Sequence, residues 1–389
     1  MKRRVMLFIG LVIICFTASL AISLRWKALA QGGPATFTVG TSVSYHFDTL
    51  KYPTGLFLGL NPGGLDPTLY IADSSNHVIR MFDATKGTLS VLAGTVGNSG
   101  YVNGTTSSAL FNNPTGLTGF STYGTNPSTG RFYSYTYLYV GDSLNYVVRN
   151  ICTGILYSGS SCSTVQTSAG NSTQGYLNGG SASAEFSYLA GISTSSSGQY
   201  YVADTGNSAV RVWDASANTV STYAGTGTAG FVNGYRTSAQ FAQPTRTALD
   251  TAGNVYIADA GNNVIRKIDT SGNVTTFAGS GTPGNADGNG SSAQFNMPCG
   301  IVYNPADNYL YVADSRNNAI RRIDLSGNVT TYAGEAGNGG YADGSLSVAQ
   351  FSCPMDLVIS GTTMFISDAF NNAIRSINMT SGTVSTYIS

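Results

Sequence analysis

The chain of 389 residues has a formal net charge of zero, and only 10% of its residues are charged. Soluble proteins usually carry about 25% charged residues, so this surface has little electrostatic field with which to attract other molecules. Nucleic acid is therefore excluded as a predicted partner, because proteins bind phosphate backbones mainly through clustered positive charge.

Residues 1–30 form a targeting segment. Basic residues 2–4 precede an uncharged, mostly apolar run over residues 5–24, and Ala28 and Ala30 supply the small residues of a signal-peptidase site. The run is also long enough to cross a bilayer, so two alternatives stay open. Either the leader is a cleaved signal peptide, or it is an uncleaved signal-anchor that tethers the protein through residues 5–24. Both alternatives place the remaining chain outside the cytosol, secreted or at the cell surface.

Residues 31–52 are a short N-terminal segment, and a repeat fills the chain from residue 53 to residue 389. Its most regular part is an Asp, an Asn three residues later and an Arg four residues after the Asn. The six copies are Asp73/Asn76/Arg80, Asp142/Asn145/Arg149, Asp204/Asn207/Arg211, Asp259/Asn262/Arg266, Asp314/Asn317/Arg321 and Asp368/Asn371/Arg375. Successive aspartates lie 69, 62, 55, 55 and 54 residues apart, which indicates six units of one kind.

Each unit has the pattern of four short strands. A strand opens near a proline, an aromatic and aliphatic strand precedes the Asp, a third strand carries the Arg, and a fourth follows a turn such as residues 326–328. A single four-stranded blade cannot bury both of its faces, so the units must stack around an axis. The sequence therefore predicts an all-β, six-bladed β-propeller of four-stranded antiparallel blades.

These motifs resemble the NHL repeat family over about residues 53–389. The resemblance rests on the Pro-x-Gly-Leu start, the Leu-Tyr-Val-Ala-Asp strand, the Asn-x-x-x-Arg return and the Val-Thr-Thr-Tyr-Ala-Gly close. It implies an NHL-type propeller. It implies far less about function, because the family includes protein-binding and RNA-binding modules and sensor ectodomains, with lyases and lactonases among its relatives.

The repeated Asp, Asn and Arg are interpreted as a structural hairpin device. We expect the Asp to cap the turn, the Asn to adopt the left-handed conformation, and the Arg to pair with a carboxylate, since buried polar groups need a partner in every copy. A role of this kind in every blade makes these residues poor candidates for a site that occurs once.

A second element, Gly-x-x-Asn/Asp-Gly followed by Ala-x-Phe, occurs five times between the units. We interpret it as a latch between blades, with the Phe buried in the core. The alternative is a calcium or glycan loop, but only Asp287 and Asp343 supply carboxylates there, too few for a repeated calcium site. No cofactor is predicted, and calcium is the one ion left open.

Four cysteines follow the leader. Cys152 and Cys162 flank an insertion rich in Gly and Ser, and we expect a local disulfide there in an oxidising compartment. Cys299 and Cys353 occupy equivalent ends of neighbouring repeats and are the second candidate pair, although spacing alone does not determine how they connect.

One position of the innermost strand breaks the repeat. Gly55, Gly116, Gly191 and Gly300 share it, whereas the fourth and sixth units have Arg246 and Asp356. Glycine is expected where backbones crowd around an axis, and a charged side chain there must project into the channel mouth. The two charges either form a mutual salt bridge or orient a ligand in the channel.

Variable residues at the hairpin tips are the second candidate site. Leu144, Arg316 and Phe370 stand two places after the repeated Asp, and Tyr146 stands two places further on from Leu144. If the tips share a face with the latches, these side chains are candidate protein contacts. The alternative is ordinary sequence variation in loops.

The function that we predict is an extracytoplasmic binding or scaffold module whose loop face holds a protein or glycan. Few groups remain for catalysis: the chain has two histidines, His46 and His77, so no histidine cluster can hold a catalytic zinc. The alternative is a metal-dependent propeller hydrolase or lyase, lactonase-like, with Asp356 and Asp250 at a metal in the central channel.

Overall fold

A computed structural model of the protein describes residues 49–389 apart from residues 63, 65, 196 and 197. The predicted leader and residues 31–48 of the N-terminal segment lie outside these described residues. Residues 49–389 form six antiparallel sheets, each built from consecutive strands, and these sheets are the blades of a six-bladed β-propeller. The predicted fold class is confirmed.

The strands follow the repeat. Blade 1 has β1 (Pro53–Leu60), β2 (Pro67–Asp73), β3 (Val78–Asp83) and β4 (Thr88–Ala93); blade 2 has β5 (Gly104–Thr105), β6 (Pro114–Thr125), β7 (Phe132–Asp142), β8 (Val147–Ile155) and β9 (Ser161–Ala169); blade 3 has β10 (Gly179–Gly180), β11 (Leu189–Thr194), β12 (Tyr200–Asp204), β13 (Ala209–Asp214) and β14 (Thr219–Ala224). Blade 4 has β15 (Gly234–Tyr235), β16 (Pro244–Leu249), β17 (Val255–Asp259), β18 (Val264–Ile268) and β19 (Asn273–Ala278); blade 5 has β20 (Gly288–Asn289), β21 (Pro298–Asn304), β22 (Tyr309–Asp314), β23 (Ala319–Asp324) and β24 (Asn328–Ala333); blade 6 has β25 (Gly344–Ser345), β26 (Pro354–Ser360), β27 (Thr363–Asp368), β28 (Ala373–Asn378) and β29 (Thr383–Ile388).

Blades 2 to 6 contain a fifth strand that the sequence pattern did not predict. The latch that leads into each of these blades contributes two residues, which pair with the outermost strand; Gly104 pairs with Val165 in blade 2. The pairing covers part of an otherwise open sheet edge. A strand of two residues leaves no alternation to detect, which is why only four strands per blade were predicted.

The hydrophobic core lies between adjacent blades rather than inside any one of them. One cluster joins Tyr256 and Ala258 of blade 4 to Leu310 and Val312 of blade 5, with Phe295 of the intervening latch among them. The predicted burial of the latch Phe is confirmed, and the latch Ala is completely buried as well: Ala109, Phe111, Ala184, Phe186, Ala239, Phe241, Ala293, Phe295, Ala349 and Phe351. Each blade therefore depends on its neighbour for a buried face.

The propeller has two distinct ends. At one end, here called the tip end, a 3-10 turn joins the second and third long strands of each blade: Ser74–Asn76, Ser143–Asn145, Thr205–Asn207, Ala260–Asn262, Ser315–Asn317 and Ala369–Asn371. A further 3-10 turn, Gly290–Ser292, lies in a latch. The opposite end, called the far end, carries the other hairpin turns. None of the helices in the described part of the chain has the length and apolar character needed to cross a bilayer.

Candidate functional site

The repeated Asp, Asn and Arg form one buried network at the tip end of each blade. In blade 4, Asp259 Oδ1 accepts the backbone N–H of Ala242 at 2.7 Å, and Asp259 Oδ2 accepts from Asn262 Nδ2 and Arg266 Nη1, both at 2.9 Å. Arg266 also donates to the carbonyl oxygen of Gln240 at 2.9 Å, which belongs to the latch. The network therefore fastens the latch to the blade, which supports the structural interpretation.

Two details of the predicted device are wrong. The Asp makes no side-chain capping bond to its own 3-10 turn, because one carboxylate oxygen accepts from the incoming latch and the other from Asn and Arg. The left-handed residue is also the one after the Asn: His77, Tyr146, Ser208, Asn263, Asn318 and Asn372. The repeated Asn ends the 3-10 turn instead, where its Nδ2 reaches both the Asp and a latch carbonyl, as Asn262 reaches Gly230 at 2.8 Å.

The predicted role of the repeated Arg was too narrow. The Arg was expected to pair with a carboxylate, and it does so, but in blades 2 to 6 its guanidinium also binds the latch. Arg149 Nη2 donates to the carbonyl of Val102 at 2.8 Å, and Arg211 Nη2 donates to that of Leu177 at 2.8 Å. These residues are therefore a connection between two elements rather than a part of one hairpin.

Blade 1 departs from the other five in how it uses its Arg. Arg80 donates to Asp73 Oδ2 through Nε, at 2.6 Å, whereas the other five blades use Nη1 for this bond. Residues 49–51 occupy the place that a latch takes elsewhere: Lys51 N donates to Asp73 Oδ1 at 2.7 Å, and Asn76 Nδ2 donates to the carbonyl of Thr49 at 3.0 Å. In blade 1, therefore, residues 49–51 replace the latch, and the Arg80 guanidinium is turned so that Nε instead of Nη1 faces the Asp.

The expectation that every buried polar group finds a partner is wrong for the Nε atom of the repeated Arg in blades 2 to 6. Within the described residues, the buried Nε makes no hydrogen bond in five of the arginines: Arg149, Arg211, Arg266, Arg321 and Arg375. Their Nη1 and Nη2 atoms carry all of the bonds to the Asp and the latch, and these bonds fix the orientation of the group. Aromatic rings pack against the guanidinium, as Tyr176 and Phe186 do at centroid distances of 4.9 and 5.2 Å from Arg211.

Burial sets the electrostatics of these networks. Removal from water raises the pKa of five of the repeated aspartates to about 6, against the opposing effect of the Arg charge and of the hydrogen bonds: Asp142, Asp204, Asp259, Asp314 and Asp368. The groups that compensate the charge of each carboxylate belong to its own blade and latch. The polar atoms of the repeated Asp are therefore used within the protein and are not directed at a ligand.

The innermost strands meet at the propeller axis as the glycine pattern predicted. A Cβ atom added to Gly116 would lie 2.6 Å from the Cα of Gly191, and one added to Gly300 would lie 2.8 Å from the Cα of Asp356. Backbones at this level are too close for side chains from all six blades. Glycine in four blades leaves room for the side chains of the other two.

Arg246 and Asp356 occupy that room as a buried ion pair. Arg246 Nε donates to Asp356 Oδ1 at 3.0 Å, and Arg246 Nη2 donates to Asp356 Oδ2. Asp356 Oδ2 also accepts the N–H of Leu56 in blade 1 at 2.9 Å, and Arg246 Nη1 reaches the carbonyl of Ile192 in blade 3 at 3.4 Å. The structure thus realises the salt-bridge alternative, and a role for the pair in orienting a ligand stays a prediction.

The axial pair is held in place by protein groups. Burial raises the pKa of the Asp356 carboxyl, while the Arg246 charge and the Leu56 N–H act in the opposite direction. Asp356 N donates to Ser367 Oγ at 2.9 Å, and Ser367 Oγ donates to the carbonyl of Thr54 at 2.7 Å. Arg246 Nη2 also reaches the carbonyl of Leu117 in blade 2 at 3.5 Å, so the pair connects blades 1, 2, 3, 4 and 6 at the axis.

The four predicted contact residues at the tips lie on the same end as the latches. In each of blades 2 to 6 the repeated Asn binds a latch carbonyl, as Asn145 binds Gly100 at 2.8 Å. Leu144 and Phe370 are 41% and 42% exposed, Arg316 is exposed, and Tyr146 is half-buried with positive φ. The structure places these residues on blades 2, 5 and 6, so it brings them to one end of the propeller but not into one cluster.

The acids of the hydrolase or lyase alternative do not come together. Asp356 lies two residues into β26 at the axis, whereas Asp250 lies in the far-end turn between β16 and β17, where it accepts from Asn254 Nδ2 at 2.7 Å. Asp287 and Asp343, in two of the latches, accept hydrogen bonds from the repeated arginines of blades 5 and 6. Within the described residues, no three His, Cys, Asp or Glu side chains lie close enough together to hold a metal ion.

The cysteines divide into two cases. Cys152 and Cys162 form a disulfide between β8 and β9, with Cα atoms 5.6 Å apart, as predicted. Cys299 and Cys353 are both buried; Cys299 Sγ donates to the carbonyl of Met297 at 3.4 Å, and Cys353 Sγ lies 3.8 Å from the sulfur of a nearby methionine. A disulfide between Cys299 and Cys353 stays a prediction.

The sequence reasoning missed a row of aromatic side chains on blade 2. Tyr133, Tyr135 and Tyr137 alternate along β7, Phe120 stacks on Tyr137, and Tyr157 contacts Tyr133. The signal was present as Tyr at every second position of a strand, which places the rings on one face of the sheet. Only residues that the six repeats share or vary at equivalent positions were considered from the sequence, and these tyrosines belong to neither group.

Comparison with known proteins agrees with the repeat. Residues 230–381 match the Teneurin NHL domain, and residues 186–213 match the NHL repeat. The chain is 28% identical over 350 residues to Protein SUPPRESSOR OF QUENCHING 1, chloroplastic, of Arabidopsis thaliana, covering 86% of this chain and 31% of that protein. It is 28% identical over 169 residues to NHL repeat-containing protein 2 of Bos taurus, covering 40% of this chain and 23% of that one. The chain therefore spans less than a third of the length of these curated relatives.

Among solved structures, the fold is similar to that of an auxiliary nutrient binding protein from Bacteroides thetaiotaomicron. The TM-score is 0.56 and the sequence identity 18%, with 87% of this chain and 70% of the other covered. At this identity the similarity concerns the propeller fold alone.

Proposed function

Because this chain is a β-propeller of the NHL repeat family, we propose that it is an extracytoplasmic binding module that holds a protein or glycan ligand on its tip end. The location is supported by the predicted leader and by the disulfide, since disulfides persist mainly in oxidising compartments. The ligand class is supported by the arrangement of the tips and of the axis.

The observation that carries the proposal is the contrast between the axis and the tips. At the axis, Arg246 and Asp356 bind each other and backbone groups of blades 1 and 3, so their polar atoms already have partners within the protein. At the tips, Leu144 and Phe370 keep large apolar surfaces in solvent, and Phe370 packs against the ring of Tyr52 at a centroid distance of 5.7 Å. Aromatic residues and Arg are enriched in protein interfaces, so Phe370 and Arg316 are the main candidate anchors, with Leu144 as a further apolar contact.

The tip end is also asymmetric. Blades 5, 6 and 2 carry Arg316, Phe370 and Leu144 at the tip position, whereas blades 3 and 4 carry Gly206 and Gly261. A Cβ on Gly261 would lie 2.8 Å from the carbonyl oxygen of residue 242, so the packing of that tip favours glycine. Contacts with a ligand would therefore come mainly from one side of the end surface.

The test is quantitative retention of partners from extracellular material by the intact protein and by the variant L144S/F370S. We expect a partner that the wild type retains and the variant loses. The variant V348S is the matched control, because Val348 is a 62% exposed apolar residue in the latch turn after β25, and β25 pairs with Thr383 and Val384 at the far-end start of β29. Equal retention by all three proteins, at unchanged melting temperature, would show that the tips do not form the binding surface.

A further inference from the structure

Blade 2 extends beyond its neighbours at the far end of the propeller. Its four long strands have 12, 11, 9 and 9 residues, while the long strands of the other blades have 5 to 8. Asp142 pairs with Pro114 at the tip end and Phe132 pairs with Thr125 at the far end, so the additional length lies entirely at the far end.

One face of this extension is packed and the other is open. Ser134 Oγ donates to the carbonyl of Gly64 at 2.6 Å, and Thr136 Oγ1 donates to a second carbonyl of blade 1 at 3.1 Å, which fixes this face against that blade. On the other face, Tyr139 contacts Tyr200, the first residue of β12 in blade 3. Residues of β7 before Tyr139 therefore lie beyond the end of that neighbouring strand.

Five rings form a continuous row on the open face, here called the ring ladder: Phe120, Tyr133, Tyr135, Tyr137 and Tyr157. The centroids are 5.5 Å apart for Phe120 and Tyr137, 5.7 Å for Tyr137 and Tyr135, 6.2 Å for Tyr135 and Tyr133, and 5.2 Å for Tyr133 and Tyr157. Phe120 is 43% exposed and Tyr157 is 48% exposed, and the three rings between them are partly exposed. The row is an exposed aromatic surface of the kind that marks a binding site.

The ring ladder stands on a rigid support. The Cys152–Cys162 disulfide joins β8 to β9, and Cys152 pairs in register with Tyr137 of the ladder. Asn126 Nδ2 donates to the carbonyl of Tyr157 at 3.0 Å, which ties the two far-end turns of the blade together. A surface held in this way loses little conformational freedom when a ligand binds.

The chemistry of the extension favours an uncharged ligand. Residues 119–137 and 150–163 contain a single charged side chain, Arg131. A polyanion would find only one matching charge there, that of Arg131, and a charged protein surface would have to give up its hydration with at most one ion pair formed in return. A tyrosine ring offers a flat apolar face with a hydroxyl at its edge, which matches a pyranose ring with an apolar C–H face and hydroxyls at its edge.

We propose that the ring ladder binds a chain of neutral polysaccharide, with successive sugar rings stacked along the aromatic row. This site lies at the far end of blade 2, whereas the candidate contact residues Leu144, Arg316 and Phe370 lie at the tip end of the propeller. A protein with both surfaces could hold a polysaccharide at one end while a partner occupies the other.

The test is affinity gel electrophoresis of the intact protein in gels that contain laminarin, xyloglucan, galactomannan or soluble starch. We expect at least one neutral polymer to retard the wild type and Y135A/Y157A to lose about tenfold or more of the affinity. Y135F/Y157F keeps both rings and is expected to retain most of it. Y123A is the matched control, because Tyr123 is 57% exposed on the same blade outside the ladder.

Several outcomes would overturn the proposal. It fails if none of the four polymers retards the wild type, if Y135A/Y157A is retarded as strongly as Y123A, or if heparin or alginate is the polymer bound through the ladder. It also fails if the ladder variants lose a protein partner instead of a polysaccharide.

A melting temperature equal to that of the wild type shows that Y135A/Y157A is folded, and Y157S, which changes only a turn residue, is the second variant. Loss of a partner by the tip variant L144S/F370S is measured in a separate experiment, so failure of one proposed site does not imply failure of the other.

Discussion

At the scale of single residues, the innermost-strand position at the axis holds glycine in four blades and a charged side chain in the other two. Four blades place glycine there because backbones approach too closely for a Cβ, and the two remaining blades place Arg246 and Asp356, which neutralise each other. Each charge is buried and depends on the other for its main partner. A buried ion pair is weak evidence of stabilisation, but breaking one leaves an uncompensated charge.

Because the two charges depend on each other, we expect the effects of R246G and D356G on the free energy of unfolding to be non-additive. R246G alone leaves Asp356 buried without its countercharge, and we expect it to lower the free energy of unfolding by about 3–5 kcal/mol. R246G/D356G restores glycine at all six positions, and we expect it to recover about half of that loss or more. Urea unfolding of the wild type, both single variants and the double variant measures the coupling. Additive losses would mean that the two charges stabilise the fold independently.

At the scale of the element, each of blades 2 to 6 is completed by the latch that precedes it. The latch provides the fifth strand, the buried Ala and Phe, and the carbonyl oxygens that the repeated Arg and Asn bind. The Arg is therefore the residue through which a hairpin, a latch and a carboxylate are joined. Its guanidinium suits this role because it presents several donors in one plane.

This arrangement predicts that removing the repeated Arg266 lowers the free energy of unfolding much more than removing Arg236, which is not part of the repeated network. R266A leaves Asp259 buried and releases three latch contacts, so we expect a loss of about 3–5 kcal/mol in the free energy of unfolding. R236A removes an arginine that packs on the rings of Tyr223 and Tyr235, and we expect a loss of about 1 kcal/mol or less. Chemical denaturation of both variants checks the comparison. Equal losses would contradict a special role for the repeated Arg.

At the scale of the whole molecule, the same network is repeated around a closed ring. Among the described residues, blade 6 meets blade 1 without a strand exchanged between them, and Tyr52 N donates to Asn372 Oδ1 at 2.9 Å across this junction. Equivalent bonds join other neighbours, such as Met297 N to Asn263 Oδ1 at 2.9 Å. Effects that are small in one blade can therefore add up over the propeller.

The repeated carboxyls predict that stability increases on mild acidification. Five have a folded-state pKa of about 6 because of burial, above the value of about 3.9 in an unfolded chain. Between these values the folded state binds more protons, so their contribution is present at low pH and is lost as the pH rises through 6. Acids of the far-end turns such as Asp214 and Asp269 have pKa values lowered by hydrogen bonds, and their contribution is lost only as the pH falls below about 4.

We therefore expect the melting temperature to rise between about pH 7 and about pH 5 and to fall again below about pH 4. Thermal unfolding followed by circular dichroism at constant ionic strength measures this profile. A variant such as D259N, which removes one of the five groups, should show a smaller rise. A melting temperature that falls steadily from pH 7 to pH 5 would mean that the paired carboxyls remain ionised throughout.

The sequence alone determined the number of blades, the positions of their long strands and the pairing of the repeated Arg with a carboxylate. These features depend on residues that recur at constant spacing, and a feature repeated six times can be recognised without knowing what it contacts. The same reasoning identified Arg246 and Asp356 as exceptions, and Cys152 and Cys162 as a local pair.

Only the tertiary structure decided what the exceptions do. It showed that Arg246 and Asp356 meet across the axis, that the left-handed residue follows the repeated Asn, and that the latch adds a short strand to the next blade and binds its Arg. It also showed that the tyrosines of β7 extend beyond the neighbouring blade and remain partly exposed. These facts depend on distances between segments far apart in the chain, and on the height of one blade relative to the next, which no local pattern of residues encodes.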